Sequence, residues 1–142
     1  MTIDLIPFQP MHLMAMEGTE LEIEQRGLML AALDKANVLH AFTLTEEGYI
    51  IGSGGVCGLR DGVAEAWLVL TPRFYRRTIT SIRRIVDFLA LYQCQFTRLQ
   101  ALVHTNDGRA YDFMIWLGFE CEGRLRKYAM GKDMYMFSWV NT

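Results

Sequence analysis

The sequence predicts a mixed α+β domain built on a mixed, mostly antiparallel sheet of about seven strands. Three observations lead there. Glu46-Glu47-Gly48 and Arg60-Asp61-Gly62 are hairpin turn signals that separate runs rich in Val, Ile, Leu, Phe and Thr, which makes a three-strand meander. The apolar spacing then switches to a helical period between Thr80 and Phe96 and returns to strand at Arg98. A strand, helix and strand in one sheet need a right-handed crossover, so the strands around that helix run parallel.

The bulk numbers bound the answer. The chain has 142 residues, enough for one domain with one core. Hydrophobic residues make up 51% and charged residues 21%, so the chain can bury a core and is not a disordered polyelectrolyte. A net charge of −2 gives no global field toward nucleic acid or a membrane surface. Cys57, Cys94 and Cys121 are odd in number and none stands at CxxC spacing. Neither a disulfide framework nor a zinc site is expected, and no metal; a reducing, cytoplasmic setting is the expectation. No apolar run reaches the roughly 18 residues of a membrane span.

The elements follow in order. Thr2–Pro7 reads as a short edge strand that Pro7 and Pro10 end. Met11–Met16 suits one or two helical turns. Glu20–Ala36 is helix-prone, with Leu21, Leu28, Ala32 and Leu33 roughly on one face and Gly27 weakening it. Val38–Thr45, Tyr49–Leu59 and Val63–Thr71 form the meander. Gly52, Gly54 and Gly55 inside its middle strand suggest a bulge or a close backbone approach. Pro72 ends the meander. Thr80–Phe96 is an amphipathic helix and Arg98–His104 a strand. Asp107–Leu117 is a second amphipathic helix with Gly118 at its stop. Phe119–Tyr128 and Asp133–Val140 are the last strands. Ligands of such sheets bind at the carboxyl ends of the strands where the topology switches, here near Thr71 and His104.

The order of elements, the run Trp67-Leu-Val-Leu-Thr-Pro72 before a long helix, and Asp107-Gly-Arg-Ala110 leading into Leu117-Gly118-Phe119 resemble the GNAT superfamily of acyl-CoA-dependent N-acyltransferases. The likeness covers roughly Val38 to Val140. The run from Glu65 to Pro72 also looks like a subset of short GNAT-like proteins of bacteriophages and prophages. The resemblance implies helices on both faces of the sheet, acetyl-CoA as acyl donor and a small-molecule or protein amine as acceptor. Members often dimerise, so a homodimer is one expectation. Three departures stand out. The pyrophosphate loop, usually Gln/Arg-x-x-Gly-x-Gly/Ala, reads Tyr75-Arg-Arg-Thr-Ile-Thr80 and has no glycine. Met114 stands where a proton-donating Tyr is usual, and Asp107 replaces an Asn. They motivate two other readings, a non-catalytic structural or assembly protein and a sensor of acyl-CoA.

The candidate site combines these segments. Leu68, Val69, Leu70 and Thr71 would offer backbone groups to a peptide-like pantetheine arm, as an added strand would. Arg76, Arg77, Thr78, Ile79, Thr80 and Ser81 precede or open a helix and would supply charge, hydroxyls and amides to phosphates. A merely capped, basic helix start has the same composition. Asp107, Ala110 and Phe113 would line the groove from the following helix. Glu65, amid apolar neighbours on the central strand, is the first candidate base; burial would shift it toward a useful range. His104 is the second, since imidazole suits proton transfer near neutrality. Tyr111 and Tyr128 are the candidate acids. Glu17 to Glu24 would border the acceptor site and suit a cationic amine. Met11, Met14, Met16, Met29, Met130, Met134 and Met136 fit packing, the commoner role of scattered methionines, or an adaptable binding surface.

Overall fold

A computed structural model of the protein describes residues 3–18, 20–76 and 78–141, with the side chains of all but 20, 21 and 78–81. The elements are β1 (Ile3–Pro7), α1 (Met11–Ala15), α2 (Glu20–Asp34), β2 (Asn37–Glu46), β3 (Tyr49–Arg60), β4 (Val63–Leu70), α3 (Pro72–Arg76), α4 (Thr78–Gln93), β5 (Arg98–His104), α5 (Gly108–Trp116), β6 (Glu120–Ala129) and β7 (Lys132–Val140). They form one seven-stranded sheet in the order β1-β2-β3-β4-β5-β7-β6. Every neighbouring pair is antiparallel except β4 and β5.

One face of the sheet carries α3, α4 and α5. Alternation along β4 turns Ala64, Ala66, Leu68 and Leu70 to this side, against Ile85, Phe88 and Leu89 of α4. Phe42 meets Phe88 at 4.5 Å between ring centroids, and Phe74 meets Phe113 at 5.9 Å. Each fully buried Leu or Phe here contributes about 1.5–3 kcal/mol of transfer free energy. Beneath α5, Phe137 is fully buried with Tyr111 against it.

The other face carries α1 and α2. His12 of α1 accepts from the Gln9 amide at 3.0 Å through Nδ1 and stands 2.7 Å from the Thr43 hydroxyl, which is 2.9 Å from Ser53. Arg26 of α2 is 5% exposed and ties the two helices together. Its guanidinium donates to the carbonyls of Met16 and Glu17, each at 2.8 Å. Burial lowers its pKa, and the nearby Glu22 carboxylate opposes that shift.

The glycines of β3 mark close approach, and the bulges fall beside them. The register shifts lie between Val38 and His40, between Leu44 and Thr45, and between Gly58 and Arg60. A Cβ on Gly55 would stand 2.6 Å from the His40 carbonyl oxygen and 2.8 Å from Trp67 Nε1. Gly55→Ala is therefore expected to lower the unfolding free energy by about 1–3 kcal/mol, because a backbone oxygen cannot swing aside. Gly27 is the contrasting site: inside α2, with nothing within 4 Å of an added Cβ. Gly27→Ala should raise stability by about 0.5–1 kcal/mol, since alanine loses less backbone entropy in a helix. Urea titration of both variants checks the pair; a destabilised Gly27→Ala or an unaffected Gly55→Ala contradicts this packing.

One segment differs from expectation. Pro72 does not simply end a strand; it begins α3, a short helix before the longer one. Proline suits a first helical position, where no amide donor is needed. Thr71 caps it, its hydroxyl accepting from the Phe74 amide at 3.4 Å. Arg73 anchors it through Glu46, which is 1% exposed, at 2.9 Å. The stretch expected as an open phosphate loop is thus helical up to Arg76 and again from Thr78.

Candidate functional site

Pairing between β4 and β5 stops early. Val63, Ala64 and Glu65 pair with Arg98, Leu99 and Gln100, and no register continues beyond them. From Ala66 and Ala101 onward the strands splay toward their carboxyl ends. The gap opens a cleft of about 550 Å³, lined by Leu68, Val69 and Leu70 of β4 and by Leu102, Val103 and His104 of β5. It passes through the sheet and has two halves.

The half on the α3–α5 face is lined by Tyr75, Asp107, Ala110, Phe113 and Met114. Asp107 caps α5, its Oδ1 accepting from the Ala110 amide at 3.0 Å. This accounts for the spacing of the acidic and small residues, and aspartate caps as well as asparagine does. At the far end Gly118 takes φ +94°, and the Phe119 amide bonds back to Met114 at 3.1 Å. That αL closure needs a residue without a Cβ. Tyr75 approaches from the opposite wall. Its ring meets Phe113 edge-on at 6.4 Å, and the Arg109 guanidinium lies over it at 4.8 Å. Burial, helped by Asp107 and opposed by Arg109, pushes its phenol up to about 12, so it stays protonated through the neutral range.

The half on the α1–α2 face is lined by Glu22, Gln25, Met29 and Ala32 of α2 and by Met130 and Met134 at the β6–β7 end. The acidic stretch thus contributes Glu22, and three of the expected methionines, Met29, Met130 and Met134, reach the cleft. Glu22 also lies 3.5 Å from Arg26.

The expected site residues divide. Leu68, Val69, Leu70, His104, Asp107, Ala110 and Phe113 come together around the cleft. Thr71 does not: it is 1% exposed, its hydroxyl donates to Ile51 O at 2.8 Å, and its amide bonds the same oxygen. Arg76 is exposed at the end of α3 and is not part of the lining. Arg77 and the side chains of Thr78, Ile79, Thr80 and Ser81 lie outside the described residues. Glu65 is half-buried in the paired part of β4, where it accepts from Gln100 Nε2 at 3.0 Å. Gln100 in turn accepts from Arg98, which holds Glu122 bidentately at 2.9 and 2.6 Å. This chain lies across the sheet below the splay, and Glu65 does not line the cleft. Tyr111 packs edge-on against Tyr135 and Phe137, each at 5.2 Å, beside Cys121. Tyr128 is 54% exposed on β6. Neither tyrosine lines the cleft. The tyrosine that does, Tyr75, was missed as a site residue by sequence reasoning, because its burial depends on α5 packing across from it. No cluster of metal-ligating side chains occurs among the described residues, and no helix there is long and apolar enough to cross a membrane.

No family model matches the sequence, and no curated protein matches it significantly. Solved structures do match the fold. A GNAT-family acetyltransferase from Streptococcus pneumoniae aligns over 99% of this chain and 100% of its own, with a TM-score of 0.66 and 15% identity. Ard1 from Thermoplasma volcanium aligns over 99% and 98%, with a TM-score of 0.71 and 17% identity. The ribosomal-protein-S5-alanine acetyltransferase of Vibrio fischeri aligns over 98% and 93%, with a TM-score of 0.69 and 17% identity. The chain has the fold of the GNAT acetyltransferases. At these identities the likeness is one of fold, so function rests on the site.

Proposed function

We propose that the protein is an N-acetyltransferase that moves an acetyl group from acetyl-CoA to an amine. The observation that carries this reading is the through-sheet cleft, opened where β4 and β5 lose their pairing after Glu65 and Gln100. A pantetheine arm has the amide spacing of an extended peptide. It would lie against the unpaired side of Leu68–Leu70, in the cleft that Ala110 and Phe113 also line. The acceptor then enters from the α2 side, past Glu22 and the methionines.

The bound donor supplies a thioester carbonyl as the electrophile. His104 ends β5 in the cleft and is the proposed base. Its imidazole takes the proton of the attacking amine as the new C–N bond forms. Breaking the C–S bond would leave a thiolate, which would take its proton from solvent or from the His104 imidazolium. Met114, 5% exposed and on the cleft wall, cannot deliver that proton. This favours a second reading, in which the cleft holds an acyl-CoA without turning it over.

Calorimetry with acetyl-CoA, followed by thiol release across a panel of amines, separates the two. Binding with amine-dependent thiol release is expected. Binding without release from any amine supports the sensor, and no binding at millimolar concentration overturns both.

A further inference from the structure

The donor reading leaves a charge problem at the mouth of the cleft. On the proposed pose along Leu68–Leu70, a phosphorylated donor would bring its anionic end to the carboxyl ends of β4 and β5, between the segments that follow each strand. The segment after β4 has no glycine between Tyr75 and Ser81, so it lacks the residue type that most readily lets a backbone approach a phosphate closely. The segment after β5 holds a cation that the motif reading passed over. Arg109, in the first turn of α5, reaches across to Tyr75 of α3 and lays its guanidinium over that ring at 4.8 Å. The two residues come from opposite walls of the groove. Tyr75 lines the cleft, and Arg109 is exposed at its rim. Asp107, the carboxylate beside them, is turned to the Ala110 amide and caps the helix. Arg76, at the end of α3, is also exposed.

A stacked guanidinium keeps its edge donors free while its plane is held. It can therefore grip a phosphate without first being ordered, and little side-chain entropy is lost on binding. Resting on the reading of the cleft as a donor site, we infer that Arg109 is the phosphate-recognising residue of that site. Tyr75 is its positioning residue, and the pair stands in for the missing glycine-loop amides. Specificity for the phosphorylated donor is thus supplied from α5.

Titration calorimetry of the full chain with CoA, dephospho-CoA and pantetheine tests this. Arg109→Gln is expected to weaken CoA by roughly ten- to hundredfold, the range of one charge-assisted contact. Pantetheine, which has no phosphate, should change by less than about twofold, and CoA affinity should depend less steeply on salt. A loss repeated with dephospho-CoA assigns the contact to the pyrophosphate; a loss confined to CoA assigns it to the 3′-phosphate. Tyr75→Phe should keep CoA affinity, because the ring alone orders Arg109, whereas Tyr75→Leu should lower it. Equal losses for CoA and pantetheine in Arg109→Gln, or no loss at all while the wild type binds CoA, overturn the inference and leave the donor reading standing. A wild-type chain that binds neither CoA nor pantetheine overturns both.

Discussion

His104→Ala is expected to lower amine-dependent thiol release from acetyl-CoA by about 10²–10⁴-fold, the usual contribution of a positioned general base. His104 is the imidazole that ends β5 and lines the cleft. It is half-buried at the sheet's end, so its loss should leave the melting temperature nearly unchanged. Tyr111→Phe and Tyr128→Phe are the controls. The Tyr111 ring packs on Tyr135 and Phe137, Tyr128 is exposed, and neither lines the cleft. Both variants should keep a rate near that of the wild type. An unchanged rate in His104→Ala, or a large loss in either tyrosine variant, would reassign the proton chemistry.

The second large effect is on stability. Phe74→Ala should cost about 3–5 kcal/mol, or about 10–15 °C in melting temperature. Phe74 is 1% exposed and sits between α3 and α5, with ring centroids 5.4 Å from Tyr75 and 5.9 Å from Phe113. Truncation leaves a cavity under the wall of the groove, and α3 is a five-residue helix with little intrinsic stability. Thermal unfolding measures the loss; a shift below about 1 kcal/mol would mean that α3 repacks freely and does not shape the site.

The sheet was legible because its signals are local. Turn residues, period-two runs and the helical period at Ile82, Ile85 and Leu89 each depend on near neighbours. The Asp107-to-Phe119 segment was legible for the same reason: its cap and its glycine stop both act within a turn. What sequence reasoning missed depends on distant packing. Thr71-Pro72 carries a cap and a first-turn proline, a helix signal, yet α3 is held by Phe74 in the core and by Arg73 on Glu46. Glu65 sits in an apolar run, but which residues flank the cleft depends on where β4 and β5 part. Pairing ends at Glu65, one residue before the cleft's first contribution from β4 at Ala66. Tyr75 and Arg109 are far apart in sequence and meet only because their helices follow adjacent parallel strands.

On the proposed function, the split between β4 and β5 holds a pantetheine arm. A crystal structure of the protein grown with CoA tests it most directly. The arm should lie extended along Leu68–Leu70, its amides paired with β4 beyond Glu65 and its sulfur within reach of His104. CoA bound elsewhere, or the cleft closed by repairing of β4 with β5, would contradict it.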